Sequence, residues 1–150
     1  MTLKEVRTEL LEQHEALRRL IADASTALTE WTRGEVPRER FRRALDAINE
    51  ALESHNDREE ALLRGVIAKV DAWGPAREEI MNERHLEEHE DLVGALIVAA
   101  DAPDARAAAP VVAIVFKRIL EHMGREESAF LRRDVLRDDD EPFEVDAFGG

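Results

Sequence analysis

The chain contains no cysteine and no tyrosine. The lack of cysteine excludes disulfides, thiolate chemistry and iron–sulfur clusters, so any bound metal must be held by histidine and carboxylate side chains. The lack of tyrosine excludes a tyrosyl radical and leaves no phenol to donate a hydrogen bond to a bound small molecule. Together these two absences restrict any metal site to nitrogen and oxygen donors.

Glycine and proline are also scarce, at 7 and 5 of 150 residues, while apolar residues make up 44% and charged residues 37%. This composition favours long helices over a turn-rich β fold and predicts an all-α protein. The length is that of one domain with a single continuous core. The longest apolar runs, 92–100 and 107–116, are about half of a membrane span, so no transmembrane helix is expected.

Basic residues are outnumbered by acidic ones, 21 to 34, for a formal net charge of −13. This charge disfavours binding to nucleic acid and to an anionic membrane, and it is compatible with binding a cation. The N-terminus runs directly into an amphipathic pattern and lacks the continuous apolar core of a signal peptide. A cytoplasmic location is therefore the expectation.

Four stretches repeat apolar residues at intervals of three or four, as amphipathic helices do. The first opens with a capping box, Thr2 to Glu5, and ends before Gly34. The four predicted helices span about 2–33, 37–72, 75–100, and 106 or 110 to 136. Their short connections predict an antiparallel up-down-up-down four-helix bundle over residues 1–136. Residues 137–150 have the acid-rich composition of a disordered tail.

All five histidines and two glutamates lie on the apolar stripes of these helices. Residues four apart differ by about 40° around a helix, so such pairs share one face. Counting residues from each turn places the seven in one layer, because the two arms of each hairpin are nearly equal: 19 and 18, 14 and 14, and 12 and 12 residues. The seven candidate ligands are His14, His55, Glu59, His85, His89, His122 and Glu126.

Glu59 and Glu126 occupy core-facing positions, where an unpaired carboxylate is very costly. The inferred stripes carry no lysine or arginine to pair with them, so bound cations are predicted, against the alternative of histidines satisfied by hydrogen bonds. Seven protein ligands suit two metals. If both glutamates bridge, one ion has three histidines and the other two, and with an oxo or hydroxo bridge one ion keeps an open position. These donors tolerate iron, manganese or zinc.

This pattern, His14, then His55-x-x-x-Glu59, His85-x-x-x-His89 and His122-x-x-x-Glu126, closely resembles the hemerythrin-like (HHE cation-binding) domain family, of the bacterial single-domain type. The resemblance implies a non-haem di-iron centre with His85, His89 and His122 on one iron, His14 and His55 on the other, and two bridging glutamates. Oxygen-carrying hemerythrins have an aspartate five residues after the last histidine. This chain has Glu126 at plus four and Glu127 at plus five, and helix geometry favours Glu126 as the bridge, with Glu127 as the alternative.

The resemblance implies binding of O2 or a related small oxidant, peroxide or nitric oxide, at the open iron position, for storage, sensing or detoxification. The alternatives are a di-iron enzyme that disproportionates hydrogen peroxide or processes nitric oxide, and a regulatory module. No catalytic residue beyond the metal ligands is predicted. The Glu-x-x-His pairs of ferritin-like proteins are absent. An apolar residue stands three positions before four of the histidines, at Leu11, Leu52, Leu86 and Ile119, and predicts a dry pocket.

Overall fold

A computed structural model describes residues 2–70 and 74–129, with side chains described in these ranges except at 3, 63, 65–70, 74–85 and 129. The described residues form four α-helices: α1 (Leu3–Thr32), α2 (Arg38–Val70), α3 (Gly74–Ala100) and α4 (Ala105–Ala129). The predicted tail and the predicted continuation of the fourth helix to residue 136 lie outside the described residues.

Each helix packs against the next one in sequence, and α4 returns to pack against α1. The structure is therefore the antiparallel up-down-up-down four-helix bundle that the sequence predicts. No helix in the described ranges is long and apolar enough to cross a membrane.

The ends of α1 follow from local sequence. Thr2 Oγ1 accepts a hydrogen bond from the Glu5 backbone N–H at 3.1 Å, and Glu5 accepts one in return from the Thr2 N–H, which confirms the predicted capping box. At the other end Gly34 adopts a φ of +71°, which only glycine reaches without strain. Its N–H bonds the Trp31 carbonyl and the Glu35 N–H bonds the Glu30 carbonyl, so α1 ends in a Schellman motif.

The fourth helix begins at Ala105, one residue before the first of its two predicted starts. Asp104 explains this start, because its side chain accepts a hydrogen bond from the Ala107 N–H at 2.7 Å and caps the helix. Pro110, the other predicted start, lies inside α4.

The predicted apolar stripes form the core. A cluster of buried residues from all four helices, among them Leu17, Ile48, Leu96 and Ile119, fills one part of the bundle. The histidines and glutamates lie next to this cluster along the helices, and in α1 His14 is placed between the buried Leu10 and Leu17. In α1 the polar layer therefore has buried apolar residues on both sides.

Candidate metal centre

Almost all the buried polar side chains in the described part of the chain come from the predicted ligand set. Six of the seven predicted ligands are at most 5% exposed, Asn56 is 6% exposed, and no lysine or arginine is buried among the described residues. The side chain of the seventh, His85, lies outside the described residues. The buried predicted ligands are His14, His55, Glu59, His89, His122 and Glu126.

These six side chains form two groups, in each of which the ligand atoms lie within 4.8 Å of one another. The first group comprises His14, His55, Glu59 and Glu126. The second comprises Glu59, His89 and His122. Glu59 belongs to both groups, so its carboxylate lies between the two pairs of histidines.

Within the first group, His55 Nε2 is 2.9 Å from Glu59 Oε2, and His14 Nε2 is 3.7 Å from Glu126 Oε1. The imidazole rings of His14 and His55 meet edge to face, with centroids 4.8 Å apart. The four side chains come from three helices, so only the folded bundle brings them together.

In the second group, the Nε2 atoms of His89 and His122 are 3.2 Å apart. His122 Nε2 is also 2.8 Å from Glu126 Oε1, which brings Glu126 close to both histidine pairs. The Nε2 atoms of His89 in α3 and His122 in α4 therefore lie close to the carboxylate of Glu126.

Polar side chains outside the layer contact the outward ring nitrogens of two histidines. Gln13 Oε1 is 2.5 Å from His55 Nδ1, and Glu88 Oε2 is 3.1 Å from His122 Nδ1. An arginine, Arg125, donates a hydrogen bond to the other oxygen of Glu88. Such contacts orient metal-binding histidines and select the tautomer in which the inner nitrogen is unprotonated.

These contacts test whether the site suits a metal. Because an amide or carboxylate oxygen accepts, Nδ1 of His55 and of His122 donates and Nε2 carries a lone pair. Each Nε2 then faces a carboxylate oxygen, Glu59 Oε2 or Glu126 Oε1, which is also an acceptor. Two acceptors at such distances repel each other unless a proton or a metal ion lies between them. The donor set of imidazole nitrogens and carboxylate oxygens therefore suits divalent or trivalent metal ions.

His14 leads to the same result. Neither of its ring nitrogens has a hydrogen-bond partner among residues 2–70 and 74–129, although the side chain is completely buried. A buried imidazole normally makes at least one hydrogen bond. A metal ion held with His55 and the nearby carboxylates would satisfy the Nε2 atom of His14.

The adjacent glutamates of α4 are placed differently. Glu126 is 3% exposed and belongs to the first group, whereas Glu127 is 26% exposed. Glu127 accepts hydrogen bonds from Arg18 at 2.5 and 3.0 Å, and this interaction raises the pKa of the Arg18 guanidinium. Its carboxylate is still 3.7 Å from His14 Nδ1, too far for a hydrogen bond. Glu126 is thus the carboxylate that enters the layer, and its role as bridge stays a prediction.

Sequence reasoning did not find Gln13 or Glu88, because each contacts a histidine of a neighbouring helix and no spacing within one helix reveals such a contact. The prediction of a dry pocket from the four apolar residues is wrong at Leu86. Leu52 and Ile119 are buried and Leu11 is half-buried, but Leu86 is 46% exposed, since it faces the edge of α3 beside α2.

Comparison with known proteins places the chain in a family. The family model of the hemerythrin HHE cation-binding domain matches residues 6–133, which include both groups and His85. Comparisons with curated proteins and with solved structures found no match. Because the matched region covers most of the sequence, this chain belongs to the hemerythrin HHE cation-binding domain family.

Proposed function

We propose that this protein holds two iron ions and binds a small oxidant, O2 or its relatives peroxide and nitric oxide, for storage, sensing or detoxification. The observation that carries this proposal is the position of Glu59, whose carboxylate belongs to both histidine groups. A carboxylate shared in this way suits a bridge between two metals. The family membership supports a metal, and the imidazole and carboxylate donors are compatible with iron.

In this proposal His14 and His55 would hold one iron, His85, His89 and His122 would hold the other, and Glu59 and Glu126 would be shared between them. When bound, the iron pair supplies electrons and an open coordination position for the oxidant. The chain supplies orientation, through Gln13 on His55 and Glu88 on His122, and a layer from which water is largely excluded.

The surroundings favour binding over cleavage of the oxidant. Breaking an O–O bond requires protons from a positioned acid or a water chain. Two described acids that lie beside ligand histidines from outside the layer, Glu88 and Glu127, are each hydrogen-bonded to an arginine, Arg125 and Arg18. A carboxylate held in this way is poorly suited to donate a proton. We therefore expect persistent binding of O2 or nitric oxide and only modest breakdown of peroxide.

Metal analysis of matched variants tests the ligand assignment. We expect two irons per chain in the purified protein, and Glu59→Ala should release at least one of them while the helix content by circular dichroism stays high. Glu126→Gln should lose iron and the adjacent Glu127→Gln should retain it, because only Glu126 is buried in the layer. Loss of iron from Glu127→Gln alone would reverse the assignment of the bridge, and unchanged iron in Glu59→Ala would refute the shared carboxylate.

Stopped-flow mixing of the reduced, iron-loaded protein with O2 and with nitric oxide tests the binding role. We expect a rapid change in the visible spectrum that persists and reverses when the gas is removed. Immediate irreversible oxidation would refute a binding role. An oxygen electrode gives the complementary test with peroxide, because sustained O2 evolution would favour the enzymatic alternative.

A further inference from the structure

A groove of about 530 Å³ runs along the surface between α2 and α3. Two of the residues that line it, Asn56 and His89, are buried, while most of the others are exposed or half-buried. The buried pair marks the inner end of the groove. Since His89 belongs to the second ligand group and Asn56 directly follows His55, this end reaches the polar layer.

Asn56 is an unusual residue in this position. Its side chain is 6% exposed, and its Oδ1 atom has no hydrogen-bond partner in the part of the chain that the structure describes. Burying an amide without a partner is costly, and native structures rarely do so. The unpartnered Oδ1 atom is an acceptor, and it therefore indicates a hydrogen-bond donor that Asn56 meets in the groove.

The other residues that line the groove form an apolar surface and an acidic surface. The apolar part comes from Leu86, Val93 and Ile97, together with the backbone at Gly94. Four acidic residues, Glu53, Asp57, Glu60 and Glu90, also line the groove. Their negative charge repels anions, and the apolar part favours small molecules of low polarity.

We propose that this groove is the route by which a small uncharged oxidant reaches the metal layer, and that Asn56 Oδ1 at the inner end accepts a hydrogen bond from an oxidant that carries a proton, hydrogen peroxide. This inference rests on the proposed function, because it concerns access to the same site. It adds a path, a positioning residue and a charge selection: uncharged O2, nitric oxide and hydrogen peroxide pass, and anions such as azide are slowed.

Gly94 makes the path testable. A Cβ atom built at Gly94 meets nothing within 4 Å, so Gly94→Leu places its side chain in open space within the groove. Gly124 of α4 is a matched control, since it is also a helical glycine whose added Cβ meets nothing within 4 Å and it does not line the groove. Both substitutions replace a helix-weakening glycine, so both proteins are expected to fold.

Stopped-flow kinetics of nitric oxide with the reduced, iron-loaded protein should separate a blocked route from a damaged site. An obstruction slows association and dissociation alike, so Gly94→Leu should lower both rate constants by about tenfold and leave Kd unchanged. Gly124→Leu should leave both rates unchanged. Equal rates for Gly94→Leu and the native protein would overturn the proposed route.

The role of Asn56 has a different signature. Asn56→Leu removes the acceptor oxygen at similar volume, so oxidation of the reduced, iron-loaded protein by hydrogen peroxide should slow by about three- to tenfold. Asn56→Ser retains a polar group, so its rate should lie between those of the native protein and Asn56→Leu. It also provides a readout if the leucine variant fails to fold. Iron content measured in both variants checks that the centre is intact. An unchanged rate of oxidation by hydrogen peroxide in both variants with full iron would refute the role of Asn56.

Charge selection is tested with azide as the anionic probe. In the double variant Glu53→Gln/Asp57→Asn, azide should bind faster and nitric oxide at the same rate, with the difference shrinking at high salt. If the double variant binds both azide and nitric oxide faster by the same factor, or binds neither faster, the proposed exclusion of anions is wrong. If the native iron-loaded protein binds no ligand at all, the proposed function itself is wrong. If the native protein binds ligands but the variants have the same kinetics as the native protein, only the proposed role of the groove is wrong.

Discussion

Glu88 provides the sharpest test of how this chain orients its histidines. Its Oε2 atom is 3.1 Å from His122 Nδ1, and Arg125 donates to its other oxygen, so the carboxylate is held in place from both sides. The Nδ1–H of His122 is thereby directed outward, and Nε2 is directed toward His89 and Glu126. Glu88→Ala removes the group that determines this orientation.

Removing a residue that hydrogen-bonds the outer nitrogen of a metal-binding histidine typically reduces metal affinity by about 10- to 100-fold, which corresponds to about 1.4–2.7 kcal/mol. We expect Glu88→Ala to lie in this range, because the contact is direct and Glu88 is only 29% exposed. Glu88→Gln retains an acceptor oxygen but loses the charge, so its effect should be smaller than tenfold. The difference between the two variants separates orientation of the ring from the electrostatic contribution of the carboxylate.

Competition with a chromophoric chelator measures the affinity of each variant for ferrous iron. The control is Glu87→Ala, which removes the same charge from the neighbouring residue, an exposed position on α3. Circular dichroism shows whether the helices remain intact. If Glu88→Ala and Glu87→Ala bind iron equally well, the contact with His122 has no role in the metal centre.

Two further predictions concern stability and pH. Leu96 is buried in the core, so Leu96→Ala should lower the free energy of unfolding of the metal-loaded protein by about 2–5 kcal/mol. The neighbouring Ile97 is 54% exposed, so Ile97→Ala should lower it far less. Similar losses for both variants in denaturant titrations would contradict this packing. The second concerns Asp23, whose pKa is lowered by hydrogen bonds from Arg40 at 2.7 and 3.1 Å. A lowered folded-state pKa means that the pair stabilises the fold above the unfolded-state pKa of about 3.9 and that this stabilisation is lost as pH falls through the folded value. Carboxyl NMR titration should show this low pKa, and Arg40→Gln should raise it; an unaltered titration would refute the interaction.

Much of the architecture could be predicted from local rules. The capping box at Thr2, the helix end at Gly34 and the apolar stripes depend on residues close in sequence, and the structure confirms them. The helical rise per residue and the nearly equal numbers of residues on the two sides of each turn were enough to predict that the candidate ligands lie in one layer. The start of α4 was less well predicted, because the capping role of Asp104 competes with the proline signal at Pro110.

The neighbours of the candidate ligands were beyond sequence reasoning. Gln13 lies next to His14 in α1, yet it contacts His55 of α2, and Glu88 of α3 contacts His122 of α4. Such contacts depend on the rotation and height of one helix against another, which no periodicity within a single helix determines. The exposed position of Leu86 and the buried amide of Asn56 have the same origin.

The helices, their order and the layer of candidate ligands follow from the 3.6-residue period, and the absence of cysteine limits the candidate donors to nitrogen and oxygen atoms. Only the packing of the helices places Glu59 between both histidine pairs and directs Glu126 into the layer while Glu127 pairs with Arg18. The same packing forms the groove between α2 and α3. The physical reason is that sequence periodicity defines only the face on which a side chain lies. Contacts between faces depend on how the helices pack.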